Sequence, residues 1–139
     1  MNQINTVLSV ESSCDDTSVA IVRKDGYVIC QVSAHQDLEH APYGGIVPEI
    51  ASRNHAMTLM PLIDSVLTSE KIDWSSIDSI AVTNRPGLIG SLIVGVVTAK
   101  SLAQLKGVKL IGVNHLEGHI LAPFLRDSTY QPTFHFDSA

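Results

Sequence analysis

The order in which β-rich and helix-rich runs follow one another limits most what this chain can fold into. "TVLSVESS", beginning at Thr6, reads as a strand running into a turn of small and polar residues. "TSVAIVRKDGYVICQVSAH" follows as two β-rich runs joined at Lys24-Asp25-Gly26, and Asp-Gly is a strong hairpin signal. Three antiparallel strands over residues 6 to 34 are therefore expected. "APYGGIVPE" is a loop with paired glycines that leads into a helix. Ile46, Ile50, Met57, Met60, Ile63 and Leu67 keep an approximate helical period, and Pro48 suits a first turn. Pro61 is expected to kink that helix or end it near Met60. "IDSIAVTN" reads as the next strand, Arg85-Pro86-Gly87 as a turn and Leu88 to Leu105 as a second helix. "VKLIGVN" is a further strand and "HLEGHILAPFL" a short third helix.

The resulting order, β-β-β-α-β-α-β-α, fits an α/β lobe over residues 1–139 with a mixed sheet covered by helices. It is also the order of the ribonuclease H-like half-domain of actin-like ATPases, a resemblance of topology that leaves function open. A formal net charge of -5 gives no basic field for holding nucleic acid unaided. The longest uncharged run lies between Arg85 and Lys100, too short to span a bilayer, so no membrane is expected. The start lacks a basic head and long apolar stretch, and Cys14 and Cys30 make no disulfide framework. A cytoplasmic protein is the expectation.

Three features can carry chemistry. The turn "ESSCDDTS" groups Glu11, Asp15 and Asp16 with the hydroxyls of Ser12, Ser13, Thr17 and Ser18. Such a turn can hold a magnesium-bound phosphate, and it can equally be an ordinary solvated turn. Cys14 within it reads as a packed or incidental thiol. Along the second helix, Gly87, Ser91, Gly95, Ala99 and Ala103 recur every four residues as a smooth stripe. That stripe suits either tight packing on the sheet or docking of a partner helix, with Leu88, Leu92, Val96 and Leu102 supplying the helix's own core side. The preceding Pro86-Gly87 turn aims a helix N-terminus, which favours anions, beyond the strand end. Finally, His115 and His119 stand at i and i+4, so on a helix they share a face and could ligate zinc or iron. A structural or exposed pair is the alternative. Zinc-peptidase chemistry is disfavoured, because Glu117 lies about 200° around the helix from His115. Of His35, His40, His55 and His135, His55 sits inside the first helix, where a partly buried, hydrogen-bonded role is the default.

"VESSCDDTSVAIV", "YGGIVPEIASRNH", "IAVTNRPGLIGSLIVG" and "LIGVNHLEGH" occur in this order. Together they closely resemble the TsaD family of tRNA threonylcarbamoyladenosine transferases, long labelled O-sialoglycoprotein endopeptidases, from about Val7 to Leu125. The resemblance implies an actin-like ATPase fold of two lobes, of which this chain is the amino-terminal one. His115 and His119 match the family's two metal-binding histidines, for a divalent iron or zinc. The third ligand, a downstream aspartate, and an "SGG" substrate segment would lie in sequence this chain does not contain. The reaction implied moves a threonylcarbamoyl group from its adenylate to the adenosine beside the tRNA anticodon. Glu11, Ser13 and Asp15 would lie on the phosphate or nucleotide side, toward ATP or threonylcarbamoyl-adenylate. The implied partners are tRNA within a complex, a paralogous actin-like subunit and accessory proteins. A homodimer through the small-residue stripe is a further expectation, and the chain alone should be inactive. Two features depart from the family: Asn84-Arg85 stand where a small residue and glycine are usual, and the ending diverges at about Phe136.

Overall fold

The computed structural model describes residues 6–132. Strands β1 (Thr6–Glu11), β2 (Thr17–Arg23) and β3 (Val28–Ala34) run antiparallel in succession, as expected. Gly26 takes φ +82° in the turn between β2 and β3, the left-handed conformation that favours glycine. Strands β4 (Ser79–Arg85) and β5 (Lys109–Asn114) add in parallel, giving the sheet order β3-β2-β1-β4-β5. β1 and β2 alternate buried and half-buried residues, so Leu8, Val10, Val19 and Ile21 point together to one face.

Two helices cover that face, α2 (Pro48–Ser69) and α3 (Ile89–Lys106), with a four-residue turn of helix, α1 (Asp37–His40), ahead of them. Sequence reasoning assigned no element to α1, placing a loop just after it. Leu59, Ile63 and Val66 of α2 meet Ala99, Leu102 and Ala103 of α3 and the inward strand residues in one core. Each fully buried Leu, Ile or Val contributes about 1.5–3 kcal/mol.

Helix α2 corrects two expectations. It passes through Pro61 without ending, because Pro61 faces solvent while Leu59, Ile63, Val66 and Leu67 anchor both sides of it. Its inward face runs through Ala51, His55, Leu59 and Ile63, and Met57 and Met60 are 70% and 45% exposed. Met57 lies about 200° around the helix from Leu59. Proline in mid-helix still forfeits one backbone hydrogen bond. Pro61→Ala should therefore raise stability by about 1–2 kcal/mol, read as a higher urea midpoint. An unchanged midpoint would mean that the helix is already relaxed around the ring.

Helix α3 lies along the sheet, with Ser91, Gly95, Ala99 and Ala103 turned inward and buried. The small-residue stripe is thus internal packing, and the expected docking face is overturned. A Cβ on Gly95 would overlap Ser12 Oγ, and one on Gly87 would overlap the Ser13 carbonyl, so both glycines let the β1–β2 turn lie directly on α3. The outward side carries Ile89, Ile93 and Val97, which are 76%, 55% and 57% exposed. By length and composition alone α3 could cross a bilayer, but it packs on β4 as a helix of the lobe.

The last described α-helix, α4 (His115–Leu121), starts directly at the end of β5. Beyond it the chain returns to the β2–β3 hairpin, where Arg126 N–H donates to the Gly26 carbonyl and Val28 N–H donates to that of Arg126. This returning segment and α4 lie over the second face of the sheet, leaving a cavity of about 370 Å³ beside Ser9, Ala20, Ala81 and Val113.

Candidate metal centre

Parallel pairing of β1 and β4 sets the site. Val10 stands opposite Val82, so the next residues, Glu11 and Thr83, come together at the strand ends. Glu11 Oε2 accepts from Thr83 Oγ1 at 2.5 Å, and Oε1 accepts from the Ser13 N–H at 2.5 Å. β5 ends one step further on, where Asn114 Oδ1 caps α4 by accepting the Leu116 N–H at 2.9 Å. That cap fixes where the helix starts and brings His115 over Glu11.

His115 Nδ1 is 3.1 Å from Glu11 Oε2, with Ser13 Oγ at 3.2 Å as a second neighbour. A carboxylate accepts only, so Nδ1 carries the proton and Nε2 of the neutral ring keeps a lone pair. That lone pair faces His119, whose Nε2 is 2.9 Å away, with the rings at 86° to each other. His119 Nε2–H therefore donates to His115. Two imidazole nitrogens on one tetrahedral zinc, each about 2.0–2.1 Å from it, lie about 3.3 Å apart. A small ring movement would suffice, and a cation would take the place of the shared proton. A carboxylate behind a ligating histidine is a recurring second tier of metal sites. The donor set fits a divalent ion. Among the described residues no third His, Cys, Asp or Glu joins the pair.

Burial pushes the Glu11 carboxyl up, but hydrogen bonds from the Ser13 and Thr83 hydroxyls, the Ser13 N–H and His115 outweigh it and leave the pKa lowered. The carboxylate thus stabilises the fold above its ordinary value of 4.5, and that contribution is lost as pH falls through the lower folded-state value. Urea midpoints measured from pH 6 to pH 3 should fall more steeply for the unaltered chain than for Glu11→Gln. Parallel profiles would show that Glu11 is not held in this way.

The β1–β2 turn is fastened from the other side by α3. Leu88 N–H donates to the Ser13 carbonyl at 2.8 Å, and Ser12 Oγ donates to the Ser91 carbonyl at 2.8 Å. Of the residues expected on the phosphate side, Glu11 and Ser13 meet His115, whereas Asp15 stays in the turn beside Asp16, which contacts His35 at 3.0 Å. Glu117 is exposed, and Cys14 and Cys30 are half-buried free thiols. His55 is fully buried, more so than expected, and His40 is buried with Nδ1 accepting the Val47 N–H. His135 lies outside the described residues. Sequence reasoning missed Thr83 and Asn114. The signal for Thr83 is its place one residue past the β1–β4 register.

Comparison with known proteins bears on the family and the fold. Residues 27–136 match the sequence model of the TsaD family, tRNA N6-adenosine threonylcarbamoyltransferase. A protein of that name from Bdellovibrio bacteriovorus is 62% identical over 129 residues, covering 93% of this chain and 37% of its own length. Another, from Erythrobacter litoralis, is 51% identical over 122 residues, 88% of this chain and 36% of the relative. The chain thus spans little more than a third of the curated relatives it matches. Among solved structures, YeaZ from Pseudomonas aeruginosa superimposes with a TM-score of 0.58 at 20% identity, covering 79% of this chain and 45% of that one. A second Pseudomonas aeruginosa protein, described as similar to peptidase YeaZ, gives 0.62 at 22% identity over 86% of this chain and 47% of its own. These two likenesses concern the fold, the ribonuclease H-like lobe of actin-like proteins expected from the element order. By the sequence match, the chain belongs to the TsaD family.

Proposed function

We propose that this chain supplies the histidine half of a centre at which threonylcarbamoyl passes from its adenylate to the amino group of the adenosine beside a tRNA anticodon, in the cytoplasm. The observation that carries the reading is the convergence of His115 and His119 Nε2, with Glu11 fixing the His115 tautomer. In the transfer, the adenosine nitrogen bonds to the carbamoyl carbon, the bond from that carbon to the phosphate oxygen breaks, AMP leaves and the nitrogen loses a proton. An iron or zinc ion at the pair would supply Lewis acidity toward the activated donor. His115 and His119 would hold that ion, while Glu11, Thr83 and the Ser13 N–H keep His115 in the ligating tautomer. Glu11, Ser13 and Asp15 would stand on the phosphate side of ATP or the adenylate. The remaining ligand and the "SGG" substrate segment belong to the second lobe that the family resemblance implies.

The test is a chimera in which this chain replaces the matching segment of the Bdellovibrio bacteriovorus relative. Transfer to tRNA, read by mass spectrometry of its nucleosides, should persist in the chimera and disappear with His115→Ala. Full transfer by the His115→Ala chimera would overturn the reading.

A second observation favours association. The outward residues Ile89, Ile93 and Val97, with Met57 and Met60 on α2, leave apolar side chains in water. This face would dock a paralogous actin-like subunit, or a second copy of the chain, and tRNA would be met only within such a complex with accessory proteins. Ile93→Glu should leave the fold intact and shift light scattering toward the monomer mass. A monomer at every concentration of the unaltered chain would count against self-association.

A further inference from the structure

We propose that His55 is a positioning residue that fastens the β1–β2 turn and so sets Ser13 against His115, an inference that rests on the site just described. His55 is 0% exposed, on the same face of α2 as Ala51, Leu59 and Ile63. Its Nε2 lies 2.8 Å from the Cys14 carbonyl oxygen, 41 residues away in sequence. A carbonyl can only accept, so Nε2 carries the proton. The neutral ring then has a lone pair on Nδ1, and the Thr17 hydroxyl, 2.7 Å away, donates to it.

One imidazole thus closes the turn across both its ends, at Cys14 and at Thr17. Between them stand Asp15 and Asp16, with Glu11 just before the turn. Neighbouring carboxylates repel, and a short run of small polar residues has many open conformations to lose on ordering. Among the described residues α3 ties the turn at Ser12 and Ser13 alone, and His55 is the helix residue that fastens its second half. Ser13 adjoins Cys14, and its N–H and hydroxyl reach Glu11 and His115. The line of action runs from α2 through His55 to the Cys14 carbonyl, and from there through Ser13 to the histidine pair. His55 itself touches neither His115 nor His119.

Cys14 offers a local readout, because burial and the charges of Asp15 and Asp16 push its thiol pKa up and slow its reaction in the closed turn. In a Cys30→Ala background Cys14 is the sole thiol. His55→Leu removes both contacts of the ring, Thr17→Val removes one at nearly constant shape, and Thr17→Ser restores the hydroxyl. Val66→Ala, elsewhere on the buried face of α2, serves as a control for general destabilisation.

His55→Leu and Thr17→Val should speed Cys14 modification by an aromatic disulfide about tenfold and weaken zinc binding about tenfold, as loss of an outer-shell partner does. Thr17→Ser and Val66→Ala should stay within about twofold of the background on both measures. If His55→Leu does not fold, Thr17→Val decides. Equal acceleration by Val66→Ala overturns the proposal, as does unchanged Cys14 reactivity in Thr17→Val. Acceleration of Cys14 with no zinc binding in any variant, the background included, leaves the clamp standing and refutes the metal reading instead.

Discussion

Gly95→Leu should unfold this chain, not leave it folded and unable to associate. Any Cβ at position 95 meets Ser12 Oγ, with Val82 close behind it. A leucine there must push the turn off α3 or bend the helix away from the sheet. Overpacking a close contact costs about 1–3 kcal/mol, occasionally more. Moving Ser12 also breaks its bond to the Ser91 carbonyl, and a buried group left unpaired costs about 1–3 kcal/mol. The sum approaches the ~5–15 kcal/mol that holds a typical domain. Circular dichroism in urea should show the midpoint collapse toward zero, with Gly95→Ala intermediate. A leucine variant with an unaltered midpoint would return the stripe to the surface.

The second large effect concerns metal. The chain should bind zinc weakly, since two protein ligands leave the other positions to water. His115→Ala should abolish that binding in a calorimetric titration. Glu11→Gln should weaken it by about 10–100-fold, although Glu11 touches no ion, because the amide holds the Nδ1 proton less firmly. A tight equimolar site that survives His115→Ala would place the ion elsewhere.

Much of the fold was legible because its signals are local. Asp25-Gly26 and the alternation around it marked the hairpin, and the spacing of His115 and His119 put both rings on one helix face. What was not legible depends on partners distant in sequence. The period of α2 was visible, but its inward side was not, because Met57 and Leu59 are equally apolar and only the sheet chooses between them. Pro61 argued for a break that burial on either side of it overrides. The stripe on α3 has one pattern for two fates, and only Ser12 and Ser13 lying against Gly95 and Gly87 decide for packing. The contact of Glu11 with His115 is not legible either, since it needs both the β1–β4 register and the Asn114 cap.

The place of β1 between β2 and β4 also bears on the order of events as the chain folds. The two hairpins β1–β2 and β2–β3 join near neighbours and close quickly, whereas β1 and β4 must meet across a long loop whose entropy is lost before any contact rewards it. Glu11 and His115 are 104 residues apart, and they come together only after β4 and then β5 have added to the sheet. An early collapsed state with all three antiparallel strands in place would therefore have no histidine centre. Metal capture would be confined to chains that have finished folding.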